Sequence, residues 1–189
     1  HVAADGEVLR KTRIGRARLT LPSASRPRQG VNTCGANSVL ILSDVRVIDS
    51  DLVSAVSVEF GKVTLPSKFL FPLLDRGAFE RPGLHSGRFV LLPYDVASGK
   101  PLDVLAIRQY PHLRNYLRRA KKKLNSRRGT LLGAWMKRGC WWALLGVGAY
   151  SFAPYKVAWM SYGGSIFRPK IFRSLNGKCW QGNQALHAY

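Results

Sequence analysis

One stretch limits the choice of folds more than any other. Leu113, Tyr116, Leu117, Ala120 and Leu124 recur at i, i+3, i+4, i+7 and i+11, a single apolar stripe at helical period. Pro111 suits the first helical position, where its fixed φ is pre-organised, and Asn125-Ser126 and Gly129 offer the stop. The remaining faces carry Arg114, Arg118, Arg119, Lys121, Lys122 and Lys123. Such a helix must bury its stripe, and the segments around it read as extended chain. Val39–Leu42 and Val45–Ile48 suggest strands around a turn at Ser43-Asp44, and Leu52–Phe60 alternates as a strand does. Residues 22–37 read as loop. Pro66 to Leu74 suggests a helical turn or bend broken by Pro72. Residues 88–93 (RFVLLP) and 155–160 (YKVAWM) are the clearest strands. Strands before and after one strong basic amphipathic helix, without a βαβ rhythm, indicate an α+β fold of mixed short strands in a single domain, 1–189.

Charge divides this chain better than any linker. All ten acids lie at or before Asp103; the 86 residues that follow hold none, yet carry sixteen Lys or Arg. The net charge is +20, with 30 Lys+Arg against 10 Asp+Glu. A hydrophobic content of 46% excludes a bare polybasic arm, so a folded domain facing a polyanion is the simplest reason for this imbalance. Within the helix, Arg114/Arg118 and Arg118/Lys122 are like charges at i,i+4, each destabilising by roughly 0.2–0.5 kcal/mol without a counterion. Phosphates would relieve them through charge-assisted bonds and counterion release. The expected phosphate contacts are Arg114, Arg118, Arg119, Lys121, Lys122, Arg127, Arg128 and Lys156.

Other chemistry is thin. Cys34, Cys140 and Cys179 are widely spaced and never within a few residues of a histidine, which argues against a zinc site or a disulfide scaffold and for reduced thiols in the cytoplasm. The first twenty residues hold no signal-peptide core, and a start at His1 suits a piece of something longer. Residues 139–155 are uncharged but short for a membrane span, and Gly139, Gly146, Gly148 and Pro154 interrupt them; buried core is expected there. No P-loop, dinucleotide fingerprint, HExxH or GxSxG occurs, and GVNTCGAN (30–37) reads as a tight loop. Asp49 and Asp51 have no third acid or histidine beside them. No catalytic or metal-binding residues are expected.

Several phrases, in order, resemble the C-terminal target-recognition region of TaqI-like N6-adenine DNA methyltransferases. They are GVNTCGANSVLIL (30–42), LPSKFLFPLLDRGAFER (65–81), RFVLLPYD (88–95), YPHLRNYLRRAKKKLNSRR (110–128), the WW pair at 141–142 and APYKVAWMSYGG (153–164). Together they span a family-like core of about 30–164. The resemblance implies a specificity domain that reads double-stranded DNA and performs no methyl transfer itself. S-adenosylmethionine and the adenine-binding Asn-Pro-Pro-Tyr/Phe loop would belong to a catalytic domain of the same polypeptide, a site-specific adenine-N6 methyltransferase of a restriction-modification system. Within such a domain, Asn32, Thr33, Asn37 and Arg76 are the expected base readers, since amides and guanidinium groups can reach base edges. Two other classes stay open on the residues alone: an RNA-binding or ribonucleoprotein scaffold module, and a structural domain meeting an acidic protein.

Overall fold

The computed structural model describes residues 27–81, 87–160, 168–184 and 186–188. The readings of the first twenty residues and of 22–26 lie outside them. In chain order the elements are β1 (Arg28–Gln29), α1 (Asn37–Leu40), β2 (Ile41–Val47), β3 (Leu52–Ser57), β4 (Gly61–Pro66), β5 (Leu70–Leu74), α2 (Arg76–Glu80), β6 (Phe89–Leu91), β7 (Tyr94–Asp95) and β8 (Lys100–Pro101). They continue as α3 (Val104–Arg108), α4 (Pro111–Asn125), α5 (Thr130–Lys137), β9 (Tyr155–Met160), β10 (Lys170–Arg173), β11 (Gln181–Gly182) and β12 (Leu186–Ala188). A six-stranded sheet runs β11-β5-β6-β2-β3-β4, a four-stranded sheet runs β1-β12-β9-β10, and β7 pairs with β8. Pairing is antiparallel except between β11 and β5. The fold is mixed α+β, with short strands and several helices.

Two local expectations are corrected. No turn falls at Ser43-Asp44. β2 continues through it, with Asp44 at φ +48 and the register against β3 shifting between Ser43 and Arg46, a bulge rather than a reversal. The reversal comes at 48–51, where the Asp49 carboxylate accepts the N–H groups of Asp51 and Leu52, each at 2.8 Å. Nor does Pro72 break its segment. Leu73 donates its N–H towards β6, to the Arg88 carbonyl at 2.9 Å, so the missing donor of Pro72 points to the β11 side. There β11 pairs with Leu73 and Leu74, one residue beyond Pro72.

The main core gathers both sheet faces, α4 and the 140–145 segment around Leu42, Leu65, Leu91, Leu117 and Trp142; a smaller one joins Leu74, Phe79, Phe172 and Trp180 beneath the four-stranded sheet. Residues 139–155 contribute Trp142, Ala143 and Leu144 as buried core. Tyr94 locks this segment: its hydroxyl donates to the Leu144 carbonyl at 3.1 Å and accepts the Leu144 N–H at 2.8 Å. Among the described residues, no helix is long and apolar enough to cross a membrane.

α4 buries its stripe as its period predicts: Leu113, Tyr116, Leu117, Ala120 and Leu124 all face inward. Tyr116 donates to the Val39 carbonyl at 2.5 Å, and burial pushes its hydroxyl up to about 12. Just past the helix, Arg127 departs from expectation. It is 7% exposed, and its guanidinium donates from Nε to Leu124 (3.0 Å), from Nη1 to Thr33 (3.2 Å) and from Nη2 to Trp141 (2.6 Å), all backbone carbonyls. Burial lowers its pKa. With its donors directed at these three carbonyls, Arg127 is a structural clamp rather than a phosphate contact. Arg127→Ala removes a charged donor from all three carbonyls, of which that of Thr33 keeps the Ala36 N–H at 3.3 Å, and should destabilise the fold by about 2–4 kcal/mol in urea denaturation. A solvated phosphate ligand at this position would change stability by less than about 0.5 kcal/mol.

Candidate nucleic-acid interface

Two surfaces concentrate polar chemistry. The first is the outer side of α4 and the turn after it, where Arg114, Arg118, Arg119, Lys121, Lys122 and Arg128 are all exposed, as their sequence positions predict. Phe60 and Trp141 shape this face: the Arg119 guanidinium lies 4.5 Å from the Phe60 ring centroid and the Lys121 ammonium 6.0 Å from that of Trp141. Among the described residues, the ion pair on α4 is Lys123 with Glu59 at 3.7 Å. Among the described residues, no carboxylate lies within that reach of the other cations on the helix.

The second surface is a cleft of about 70 Å³. Ile41 and Leu73 form its apolar floor, and Thr33, Asn37, Arg88, Asn183 and Gln184 supply its polar rim. Backbone pairing builds it from chain segments far apart in sequence. Val31 donates to the Gly182 carbonyl at 2.6 Å, and Asn183 donates to that of Leu74 at 3.0 Å, which lays the 30–33 segment along β11. Gly30 makes this approach possible, since a Cβ there would sit 2.1 Å from the Asn183 carbonyl oxygen. Strand register then fixes the faces. Ile41, Val90, Phe71, Leu73 and Arg88 share one side of the six-stranded sheet, while Leu42, Ser57, Ala55 and Val53 share the other. Tyr116 of α4 reaches Ser57, so α4 covers the second side and the cleft opens on the first. The 33–40 segment wraps the strand end between them, touching α4 through Val39 and bordering the cleft through Thr33 and Asn37.

The four expected base readers therefore separate. Thr33 and Asn37 meet at the cleft, the Thr33 hydroxyl donating to Asn37 Oδ1 at 2.5 Å. Asn32 instead turns its side-chain oxygen to the Cys34 N–H at 2.8 Å, holding the loop at Cys34 and Gly35, whose φ angles are +54 and +87. Arg76 lies on α2, outside the cleft lining, paired with Glu80 at 2.6 Å; their hydrogen bond raises the arginine pKa and lowers that of the glutamate. Sequence reasoning missed Arg88, Asn183 and Gln184. Arg88 opens the phrase RFVLLPYD and sits two residues before the buried Val90, so alternation alone puts it on the same face; nothing local marks Asn183 or Gln184.

Lys156 is a further correction. It is 5% exposed, its ammonium donating to the carbonyls of Ser151 (2.8 Å) and Ala153 (3.1 Å), and burial pushes its pKa down to about 8. It faces the smaller core's side of β9, between the outward-facing Tyr155 and Val157. Such a lysine closes the chain around Ser151 and has no route to a phosphate. Among the described residues, no three His, Cys, Asp or Glu side chains converge as a metal site would require. Comparison with protein families, with characterised proteins and with solved structures returns no match.

Lys156 also sets a pH dependence. Its folded pKa lies below the ordinary 10.5, so between about pH 8 and 10.5 the unfolded chain holds a proton that the folded chain has released. Stability therefore rises with pH through this window. Urea denaturation of the wild type and Lys156→Met across it should show the difference moving in favour of the wild type. A constant difference would place the ammonium in solvent.

Proposed function

We propose that this chain is a sequence-recognition domain for double-stranded DNA, of the kind that TaqI-like adenine methyltransferases carry C-terminally. It would position a target adenine for a catalytic domain of the same polypeptide, which binds S-adenosylmethionine and transfers the methyl group. The solvent face of α4 carries this reading. Arg114, Arg118, Arg119, Lys121 and Lys122 stand exposed on a helix whose opposite face is fully packed, and among the described residues it is Lys123, with Glu59, that has an acid partner on this helix. A rigid array of like charges suits a polyanion of regular spacing, and the phosphate backbone is one. Base reading falls to the cleft bordered by Thr33 and Asn37.

A second reading rests on the four-stranded sheet. Its outer face presents Tyr155, Trp159, Ile171 and Arg173, with the Arg173 guanidinium 5.8 Å from the Tyr155 ring centroid. Aromatic and guanidinium surfaces on an open sheet suit stacking of unpaired bases, which favours an RNA-binding module.

Arg118→Gln separates these cases. On the duplex reading it weakens two unrelated duplexes by the same factor, lowers the slope of log affinity against log salt by about one unit, and leaves the melting temperature unchanged or slightly raised. A change of preference between the duplexes would make α4 a sequence reader. Unchanged duplex binding, together with tighter binding of single-stranded RNA, would favour the second reading.

A further inference from the structure

Two of the residues lining the cleft, Arg88 and Asn37, bring hydrogen-bond donors to it. Arg88, just before β6, lines it, with its side chain 48% exposed. One corner of its guanidinium is held: Nη1 meets Asp75 Oδ2 at 3.4 Å. Asp75 is itself immobilised, 11% exposed at its side chain, with Oδ1 accepting the Ala78 N–H at 3.0 Å as the N-cap of α2. On the same cleft, the buried Thr33 donates to Asn37 Oδ1 and leaves the Asn37 amide N–H groups as what that side chain offers a ligand. The floor of Ile41 and Leu73 is apolar, and about 70 Å³ is roughly two waters' worth of space, enough for the edge of a base and too little for a whole one.

We propose that Arg88 reads a guanine of the recognised sequence, its guanidinium donating to the O6 and N7 acceptors, with Asn37 as a second donor and Asp75 as the positioning residue. This rests on the duplex-DNA reading above. Guanine presents two adjacent acceptors in the major groove, whereas adenine and cytosine each present an amino donor that would oppose Arg88 and Asn37; thymine offers one acceptor beside a methyl group. Holding one corner of a guanidinium on a buried carboxylate favours orientations that leave its Nε and Nη2 donors for a ligand, a bias that a free surface arginine lacks.

The test is selection of bound duplexes from a random-core pool by the full chain, followed by titration of the selected duplex and its single-base variants. The wild type should enrich a motif containing a guanine whose replacement weakens binding by roughly 10- to 100-fold. Arg88→Ala should flatten that position while keeping the other selected positions and binding to unrelated duplex. Asp75→Asn retains a capping side chain for α2 but loses the charge that orients Arg88, and should relax the same position and no other. If Arg88→Ala keeps the guanine preference, or the wild type binds duplex without a selected guanine, the assignment of Arg88 is wrong and the duplex reading stands. Should the wild type bind no duplex, both fail.

Discussion

The buried guanidinium of Arg127 ties together three parts of the chain, the end of α4 at Leu124, the loop at Thr33 and the Trp141 segment, and so reinforces the backbone pairing of Asn32 with Leu145 and the Tyr116–Val39 hydrogen bond. A charged donor held to three carbonyls in a dry setting favours keeping all three in place, because each would lose a charge-assisted hydrogen bond if the arginine moved. Together with Tyr116, which donates to Val39, Arg127 therefore sets the position of the 33–40 segment relative to the helix. The basic face and the cleft both depend on that relation, although neither contains Arg127.

The acid-free second half of the chain divides its cations between two uses. Arg127, Lys156 and Lys178 turn inward and hold backbone carbonyls, Lys178 those of Ser67 and Leu70. Those on the outside of α4 keep their charge in solvent, where mutual repulsion is tolerated because the opposite face of the same helix is fully buried. The inward group stabilises a fold with few ion pairs. The outward group is available to a polyanion.

Much of this was legible from periodicity. The apolar stripe of α4 and the strands at 88–93 and 155–160 follow from spacing that tertiary structure had no reason to override, and of the uncharged 139–155 stretch the 142–144 part is buried core while residues 149, 150, 154 and 155 are exposed. What escaped did so for physical reasons. Short elements such as α5 and α3 lack enough turns for a stripe to register. A bulge at Ser43–Arg46 and a turn look alike in sequence, since both suit polar residues near positive φ. Charge at Arg127 and Lys156 says nothing about which side of the chain it will face; carbonyls from residues up to 94 positions away decide that. The cleft is the least legible feature, because Arg88 and Gln184 meet Asn37 through the pairing of β11 with β5 and of 30–33 with β11.

The central claim is that α4 presents unneutralised cations to DNA phosphates. Titration of the full chain with a mixed-sequence duplex at 50, 100 and 200 mM salt tests it most directly. Contact with about six to ten phosphates predicts that affinity falls by roughly 10³–10⁵ across this range, because releasing counterions into more concentrated salt gains less. An affinity that stays flat with salt would contradict it.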